Sequence, residues 1–308
     1  MSTDQISGLS SSFLGNLTTA QFDAMSTAKL ATLSAATVAK LTSAHLATLT
    51  SSELDAMTSA QIIKLSASAL AGLTTTAIVG FSTEDIAGLT TAQIGALTSV
   101  QIGAMETRDF AQLTAAQLSK FASKQVAGIT TAEIAGMSTD QIAALPTGFV
   151  GSLTATQFDA MTTAQVSKLS DAVLAKLSSA QVAMLTTTTE LQALTTTQVS
   201  LLDAKALTGL SNSVIQSLST TYVAALSTKQ VVGLTTSQIS AFTTAEMSAL
   251  TAAQSKALTA AQIKALSAAQ VNAIETADLV GLTSFTNYKA NANASSFDAA
   301  HKTQFGIS

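Results

Sequence analysis

The stretch from Leu89 to Met105, LTTAQIGALTSVQIGAM, contains two near-copies of one eight-residue unit. The same unit, which we call an octad, repeats through most of the chain. Aligned from Ser2 to Leu282, the sequence contains 35 octads, with one extra residue within Thr186–Thr189. A repeat array of this length overrides the usual expectation that a chain of 308 residues forms two domains.

Four positions of the octad are strongly constrained. Position 8 is Leu, Met, Phe or Ile in all 35 octads, and position 5 is large and apolar in 34, the exception being Ser255. Position 1 is Ser, Thr or Asp in 31 octads, and position 4 is Gln, Glu or Asp in 24. The first pair predicts a buried apolar face, and the second pair predicts a polar feature that recurs once in every octad.

Neither a continuous helix nor a strand fits this period. The apolar spacings of 3 and 5 residues average 4.0, whereas a long helix that keeps one buried face needs about 3.5 or 3.67. In a strand, positions 5 and 8 would point to opposite faces because they differ by an odd number. The octad therefore predicts a helix that stops and starts again every eight residues.

A short capped helix fits all four positions. A hydroxyl at position 1 is a good N-cap, and Gln or Glu at position 4 completes a capping box. Position 7 is Gly or Ala in 22 octads, which is typical of a tight exit from a helix. Isolated helices shorter than about 12 residues are marginal in water, so these helices must stack. The predicted fold is an all-α solenoid with one short helix per octad.

Within this solenoid, the side chains at positions 5 and 8 are predicted to form the core, and the position-4 side chain is predicted to be an exposed cap. The similar octads that end at Met25 and Met57, and at Met105 and Met137, lie four octads apart. This recurrence favours four octads, or two, in each coil.

A larger repeat is also predicted. The segment Ser2–Leu41 resembles Ser138–Leu177, and the two share an off-pattern Phe at position 4, Phe13 and Phe149. Agreement at off-pattern positions favours duplication of a block, with copies at 2–137 and 138–282, over a shared consensus.

The octads end after Leu282, and residues 283–308 have a different, Asn-rich sequence with four aromatic residues: Phe285, Tyr288, Phe297 and Phe305. Solenoids normally end in atypical repeats that cover the last coil, so one interpretation is an end cap. The other is an assembly segment that binds the N-terminal end of a second copy, which would propagate into a filament.

Composition excludes several classes of protein. The net charge is −4, which argues against non-specific binding to nucleic acid. The chain contains no Cys, so disulfides and Cys-ligated metals are excluded. The mean hydropathy is +0.40, but Ser, Thr or Gln interrupts every octad, so no membrane span of about 20 apolar residues is predicted.

The sequence offers little chemistry. The two histidines, His45 and His301, are far apart, and His45 occupies position 4, where it is predicted to replace a capping Gln. Acidic residues such as Glu53, Asp85 and Glu133 fall singly at the same position and are predicted to be caps. We therefore predict no catalytic residue, no metal site and no cofactor.

Octads such as LTTAQIGAL and LSAAQVNAI resemble the Thr/Gln-rich tandem repeats of very long bacterial surface and secreted proteins of the adhesion or haemolysin type. The resemblance covers Ser2–Leu282. It implies a non-enzymatic, extracellular or cell-surface rod, filament or surface-layer element, whose partners are copies of itself or cell-surface components. The alternative is a solenoid that binds a ligand or ice through its Thr-rich faces.

Overall fold

The computed structural model describes residues 16–186, 188–280 and 286–307. Within these ranges every regular element is a helix, and no strand is present. The described ranges contain 33 short α-helices and three 3-10 helices. The predicted all-α repeat solenoid is confirmed.

The chain divides into two compact units, Met1–Met161 and Thr162–Ser308. The helices of the first unit are α1 (Thr19–Asp23), α2 (Thr27–Ala31), α3 (Ala35–Val38), α4 (Ser43–Leu46), α5 (Ser51–Asp55), α6 (Ser59–Ile62), α7 (Ala67–Leu70), α8 (Thr75–Ile78), α9 (Thr83–Gly88), α10 (Thr91–Ala96), α11 (Ser99–Ile102), α12 (Thr107–Phe110), α13 (Ala115–Leu118), α14 (Ser123–Val126), α15 (Thr131–Gly136), α16 (Thr139–Ala143), α17 (Thr147–Ser152) and α18 (Ala155–Asp159).

The helices of the second unit are α19 (Thr163–Val166), α20 (Asp171–Leu174), α21 (Ser179–Val182), α22 (Thr188–Gln192), α23 (Thr196–Leu201), η1 (Ala206–Gly209), α24 (Asn212–Gln216), α25 (Thr220–Ala225), α26 (Thr228–Gly233), α27 (Thr236–Ser240), α28 (Thr244–Ser248), α29 (Ala252–Ala257), α30 (Ala260–Ala265), α31 (Ala268–Asn272), η2 (Thr276–Leu279), α32 (Thr286–Lys289), η3 (Ala294–Ser296) and α33 (Ala299–Phe305). The predicted duplication at residues 2–137 and 138–282 stays a prediction, and Phe13 lies outside the described residues.

The predicted capping box is present in most octads. In α10, the Gln93 backbone N–H donates to the Thr90 hydroxyl at 3.2 Å, and the Thr90 N–H donates to Gln93 Oε1 at 2.8 Å. Ala122 has no hydroxyl, yet its N–H still donates to Gln125 Oε1 at 2.9 Å. These caps give local partners to backbone N–H groups that have none in the first turn of a helix.

Positions 5 and 8 form the core, as predicted. Ile94 and Leu97 are buried, and Met105 and Phe110 lie in the same interior. Ser255 is the only residue at position 5 of a described octad that brings a hydroxyl into this core, and its Oγ is buried without a hydrogen-bond partner. Burial of the two apolar side chains in each octad stabilises helices that are too short to persist alone.

The coil contains between three and four octads. Within each unit, most helices pack against the third helix further along the chain, as α7 packs against α4 and α10. Side-chain hydrogen bonds also reach back 28 and 31 residues, into the fourth octad before. A spacing of 28 residues is three and a half octads. The predicted whole number of four, or two, octads per coil is therefore wrong, because each coil is offset by about half an octad from the one before.

Two octads form 3-10 rather than α-helix. The Asp203 carboxylate accepts from the Lys205 N–H at 2.8 Å, two residues on, and η1 follows. Glu275 precedes η2 and makes no capping hydrogen bond through its side chain. Both octads begin with an acidic residue instead of the Ser or Thr that caps most of the described α-helices, although the octad that begins with Glu106 does form an α-helix, α12.

Glycine at position 7 serves close approach between coils rather than helix exit. Among the described residues only Gly306 has a positive φ, so a left-handed exit is not the reason for the other glycines. A Cβ placed on Gly72 would lie 2.1 Å from the Ser43 backbone oxygen, one coil away. A Cβ placed on Gly148, inside α17, would meet nothing within 4 Å.

These two glycines predict opposite responses to alanine. We expect Gly72→Ala to lower the free energy of unfolding by about 1–3 kcal/mol, because the backbone of the neighbouring coil must move. We expect Gly148→Ala to raise it by roughly 0.5–1 kcal/mol, since alanine is the better helix former. Urea unfolding followed by circular dichroism measures both. Equal responses would contradict the close approach at Gly72.

Candidate functional site: the glutamine ladder and the C-terminal cap

The position-4 glutamine is a buried bridge between coils. Gln93 is 2% exposed. While its Oε1 completes the capping box, its Nε2 donates to the carbonyls of Ile62 at 3.0 Å and Leu65 at 2.9 Å. The prediction of an exposed cap is therefore wrong, since one amide serves the start of its own helix and the end of a helix in the previous coil.

We call the glutamines that make these bonds the glutamine ladder. Thirteen glutamines donate through Nε2 to backbone carbonyls 28 to 31 residues earlier in the bonds described within each unit. Twelve of these are buried, and Gln198 is half-buried. Such carbonyls at a helix C-terminus have no partner within their own helix. The members are Gln61, Gln93, Gln101, Gln117, Gln125, Gln141, Gln157, Gln198, Gln230, Gln238, Gln254, Gln262 and Gln270.

Other side chains at position 4 reproduce the same bridge. His45 Nδ1 accepts from the Thr42 N–H at 3.2 Å, and its Nε2 lies 2.9 Å from the Leu17 carbonyl oxygen. The prediction that His45 replaces a capping Gln is confirmed, and the ring also makes the bond to the previous coil. The Tyr222 hydroxyl donates to the Leu194 carbonyl. These rings are therefore occupied in holding coils together.

Four carboxylates at position 4, those of Glu53, Asp85, Glu133 and Glu246, make the predicted caps but lack the donor of a glutamine. The Thr130 N–H donates to Glu133 Oε2 at 2.6 Å, whereas Glu133 Oε1 is buried without a partner. Glu246 has the same unpartnered Oε1. Burial raises the pKa of the Glu133 carboxyl, and hydrogen bonds from Thr130 oppose that rise. Sequence reasoning identified the caps and missed the unsatisfied oxygens.

One ion-pair cluster lies near the surface. Arg108 Nε is 2.8 Å from Glu106 Oε2 and 3.5 Å from Asp109 Oδ1. Burial raises the pKa of the Asp109 carboxyl, and the Arg108 charge opposes the rise. Because the Arg108 side chain is mostly exposed, the pairs contribute little to stability.

The aromatic residues of the C-terminal segment pack inward. Tyr288, Phe297 and Phe305 are all buried. The Tyr288 ring stacks on Phe305 at 4.5 Å between centroids, and Phe297 meets Phe305 edge-on at 5.9 Å. Phe285, the fourth predicted assembly residue, lies outside the described residues. The three described rings form a small core within this chain.

This segment also continues the pattern of bonds between coils. Asn291 Nδ2 donates to the carbonyls of Ile263 at 2.6 Å and Leu266 at 3.0 Å. His301 Nε2 lies 2.8 Å from the Ile274 carbonyl oxygen. The segment thus bonds to backbone carbonyls 25 to 28 residues earlier, as the position-4 side chains of the octads bond to earlier coils, and its role as an end cap stays a prediction. Binding of the segment to a second copy stays a prediction.

The surface of the described residues offers little for chemistry. One groove of about 520 Å³ is lined by Ser240, Thr243, Gln270 and Asn293 among others, and none of its lining residues is acidic, basic or His. Within the described ranges, His, Asp and Glu nowhere gather in a group of three that could hold a metal ion. None of the helices described there has the length and apolar character needed to cross a membrane.

The family described as the ALTTAQ repeat matches residues 68–99, 102–139, 134–171 and 215–252. No curated protein matches the chain. The matched stretches lie within the octad array and in both compact units. The chain is therefore a tandem-repeat protein that is similar, over these residues, to the ALTTAQ repeat.

Proposed function

We propose that this protein is a non-enzymatic structural element of the bacterial cell surface or of a secreted assembly, in which the solenoid acts as a load-bearing spacer. The glutamine ladder is the observation that carries the proposal. Successive coils within each unit are joined by buried hydrogen bonds at regular intervals. Such bonds resist separation of the coils because breaking one leaves polar groups unpaired in the interior.

The hydrogen bonds that the polar side chains make support a structural role over an enzymatic one. Catalytic sites gather side chains with shifted pKa values in a cleft. Here the side chains at position 4, including His45 and Tyr222, bond to backbone groups of the fold. Burial is the first cause of the raised pKa of Glu133. Glu133 occupies position 4 of its octad, as the ladder glutamines do.

The proposed extracellular location rests on the resemblance to bacterial surface and secreted repeats, and the absence of Cys from the chain is compatible with it. The proposed partners are further copies or cell-surface components. The Thr-rich surface does not favour the alternative of ice binding. Successive coils are offset by about half an octad, so equivalent hydroxyls are staggered between neighbouring coils instead of lying in straight rows.

Force spectroscopy on the full chain tests the load-bearing role. We expect extension in small steps of one coil, about 28 residues or roughly 90–100 Å of extended chain, with appreciable resistance at each step. Extension without measurable resistance would overturn the proposal. Antibody labelling of intact and permeabilised cells of the source bacterium tests the location, and labelling only after permeabilisation would exclude the surface.

A further inference from the structure

Glu133 occupies position 4, as the ladder glutamines do, but the surroundings of this position do not suit an ionised side chain. Its Oε2 accepts from the Thr130 N–H at 2.6 Å and from the Thr130 hydroxyl at 2.8 Å, as the Oε1 of a ladder glutamine does. Its Oε1 stands where a glutamine has its donating Nε2. That oxygen is buried and has no partner, and the residue is only 1% exposed.

The register identifies what faces this oxygen. Ladder glutamines donate to carbonyls 28 and 31 residues earlier, and for Glu133 these positions are Met105 and Ile102. An ionised carboxylate can only accept hydrogen bonds, so it would bring a buried negative charge against acceptors. A protonated carboxyl has an O–H donor where glutamine has its N–H. Its Oε1 can then donate a hydrogen bond and is no longer without a partner.

Glu246 repeats the arrangement in the second unit. It is 2% exposed, its Oε2 accepts from the Thr243 N–H, and its Oε1 has no partner. The carbonyls 28 and 31 residues earlier belong to Leu218 and Ile215.

Glu53 provides the contrast. It makes the same cap with Thr50 but is only half-buried, and neither of its oxygens is buried without a partner.

We propose that Glu133 is protonated in the folded chain and that it donates its carboxyl hydrogen to the backbone of the previous coil. This carboxyl makes the contact between the two coils sensitive to pH. It is a proton-dependent rung beside the amide rungs of the glutamine ladder.

Neighbouring charges do not raise the pKa of Glu133. The helices packed against α15 are α12, with Arg108 and Asp109, and α18, with Asp159. The pKa of Glu133 is nevertheless raised by burial, with only the hydrogen bonds from Thr130 against it.

The direction of the pH dependence follows from the raised pKa of Glu133. The proton is bound more tightly in the folded chain than in the unfolded chain, where the carboxyl has its ordinary pKa of 4.5. The stabilisation is therefore complete below that value and is lost as the pH rises through the folded pKa. Mildly alkaline conditions should loosen the contact between coils at Glu133.

Thermal unfolding of the full chain and of Glu133→Gln tests the proposal at about pH 5 and about pH 8. Glutamine is a permanent donor of the same shape. We expect the variant to raise the Tm at the higher pH by roughly 2–4 °C and to change it little at the lower pH. Infrared spectra of the original chain should contain a buried protonated-carboxyl band that Glu133→Gln lacks.

Glu53→Gln is the matched control, and its Tm difference from the original chain should be the same at both pH values. The proposal is overturned if Glu133→Gln shifts the Tm equally at the two pH values, if it lowers the Tm at the higher pH, or if the control behaves as Glu133→Gln does. It is also overturned if the protonated-carboxyl band is missing from the original chain.

Discussion

Replacing Leu97 with Asp is expected to lower the free energy of unfolding by more than about 4 kcal/mol, because an ionised carboxylate would enter the core without a partner. Leu97 occupies position 8 and is 2% exposed. Its backbone carbonyl accepts from Gln125 Nε2 at 2.6 Å. Any shift that brings the new charge to water therefore also breaks a rung of the ladder. Urea unfolding followed by circular dichroism measures the loss.

Val100→Asp is the control for Leu97→Asp. Val100 lies three residues further on and is 66% exposed, so the same new charge stays in water. We expect a change within about 0.5 kcal/mol. If the two variants unfold at the same urea concentration, Leu97 does not lie in the core, and the assignment of position 8 to the interior is wrong.

The core and the caps could be predicted because both depend on residues close in sequence. Positions 5 and 8 are three residues apart, and this spacing places them on one face of a short helix. The capping box spans positions 1 to 4, as Thr90 and Gln93 show. An eight-residue period therefore contains nearly all the information about each helix.

The coil could not be predicted in the same way. It depends on contacts between residues about 28 apart, such as Gln93 with Leu65, and neither the octad nor its recurrences determine that distance. Composition also does not determine whether the four aromatic residues after the repeat pack within this chain or bind a second copy. Burial of Tyr288 against Phe305 depends on how the last coil ends, which the sequence pattern does not specify.

The second role of the ladder glutamines did leave a signal in the sequence. A capping box accepts Gln or Glu, and the helix dipole favours the negative charge of Glu near the N-terminus. Position 4 nevertheless contains 17 Gln and only 4 Glu. This excess of Gln indicates that the side-chain amide hydrogens are needed, and a donor is required only if acceptors from elsewhere in the chain face this position.

Gln93→Ala is therefore expected to be far more damaging than the loss of a surface cap. The change leaves the buried carbonyls of Ile62 and Leu65 without their donor and the Thr90 N–H without its acceptor. Each unsatisfied group costs about 1 kcal/mol or more, so we expect the free energy of unfolding to fall by about 3 kcal/mol or more. Chemical unfolding of the purified variant gives the value.

Gln198→Ala is the matched control, because Gln198 completes the same capping box but is half-buried and lies 3.4 and 3.5 Å from its two carbonyl partners. Bonds of that length are weak, so this variant should lose only about 1 kcal/mol, the usual contribution of a cap. A loss of about 1 kcal/mol in both variants would mean that the glutamines act only as caps. The bonds between coils would then contribute nothing to stability, and the load-bearing role proposed for the ladder would have no energetic basis.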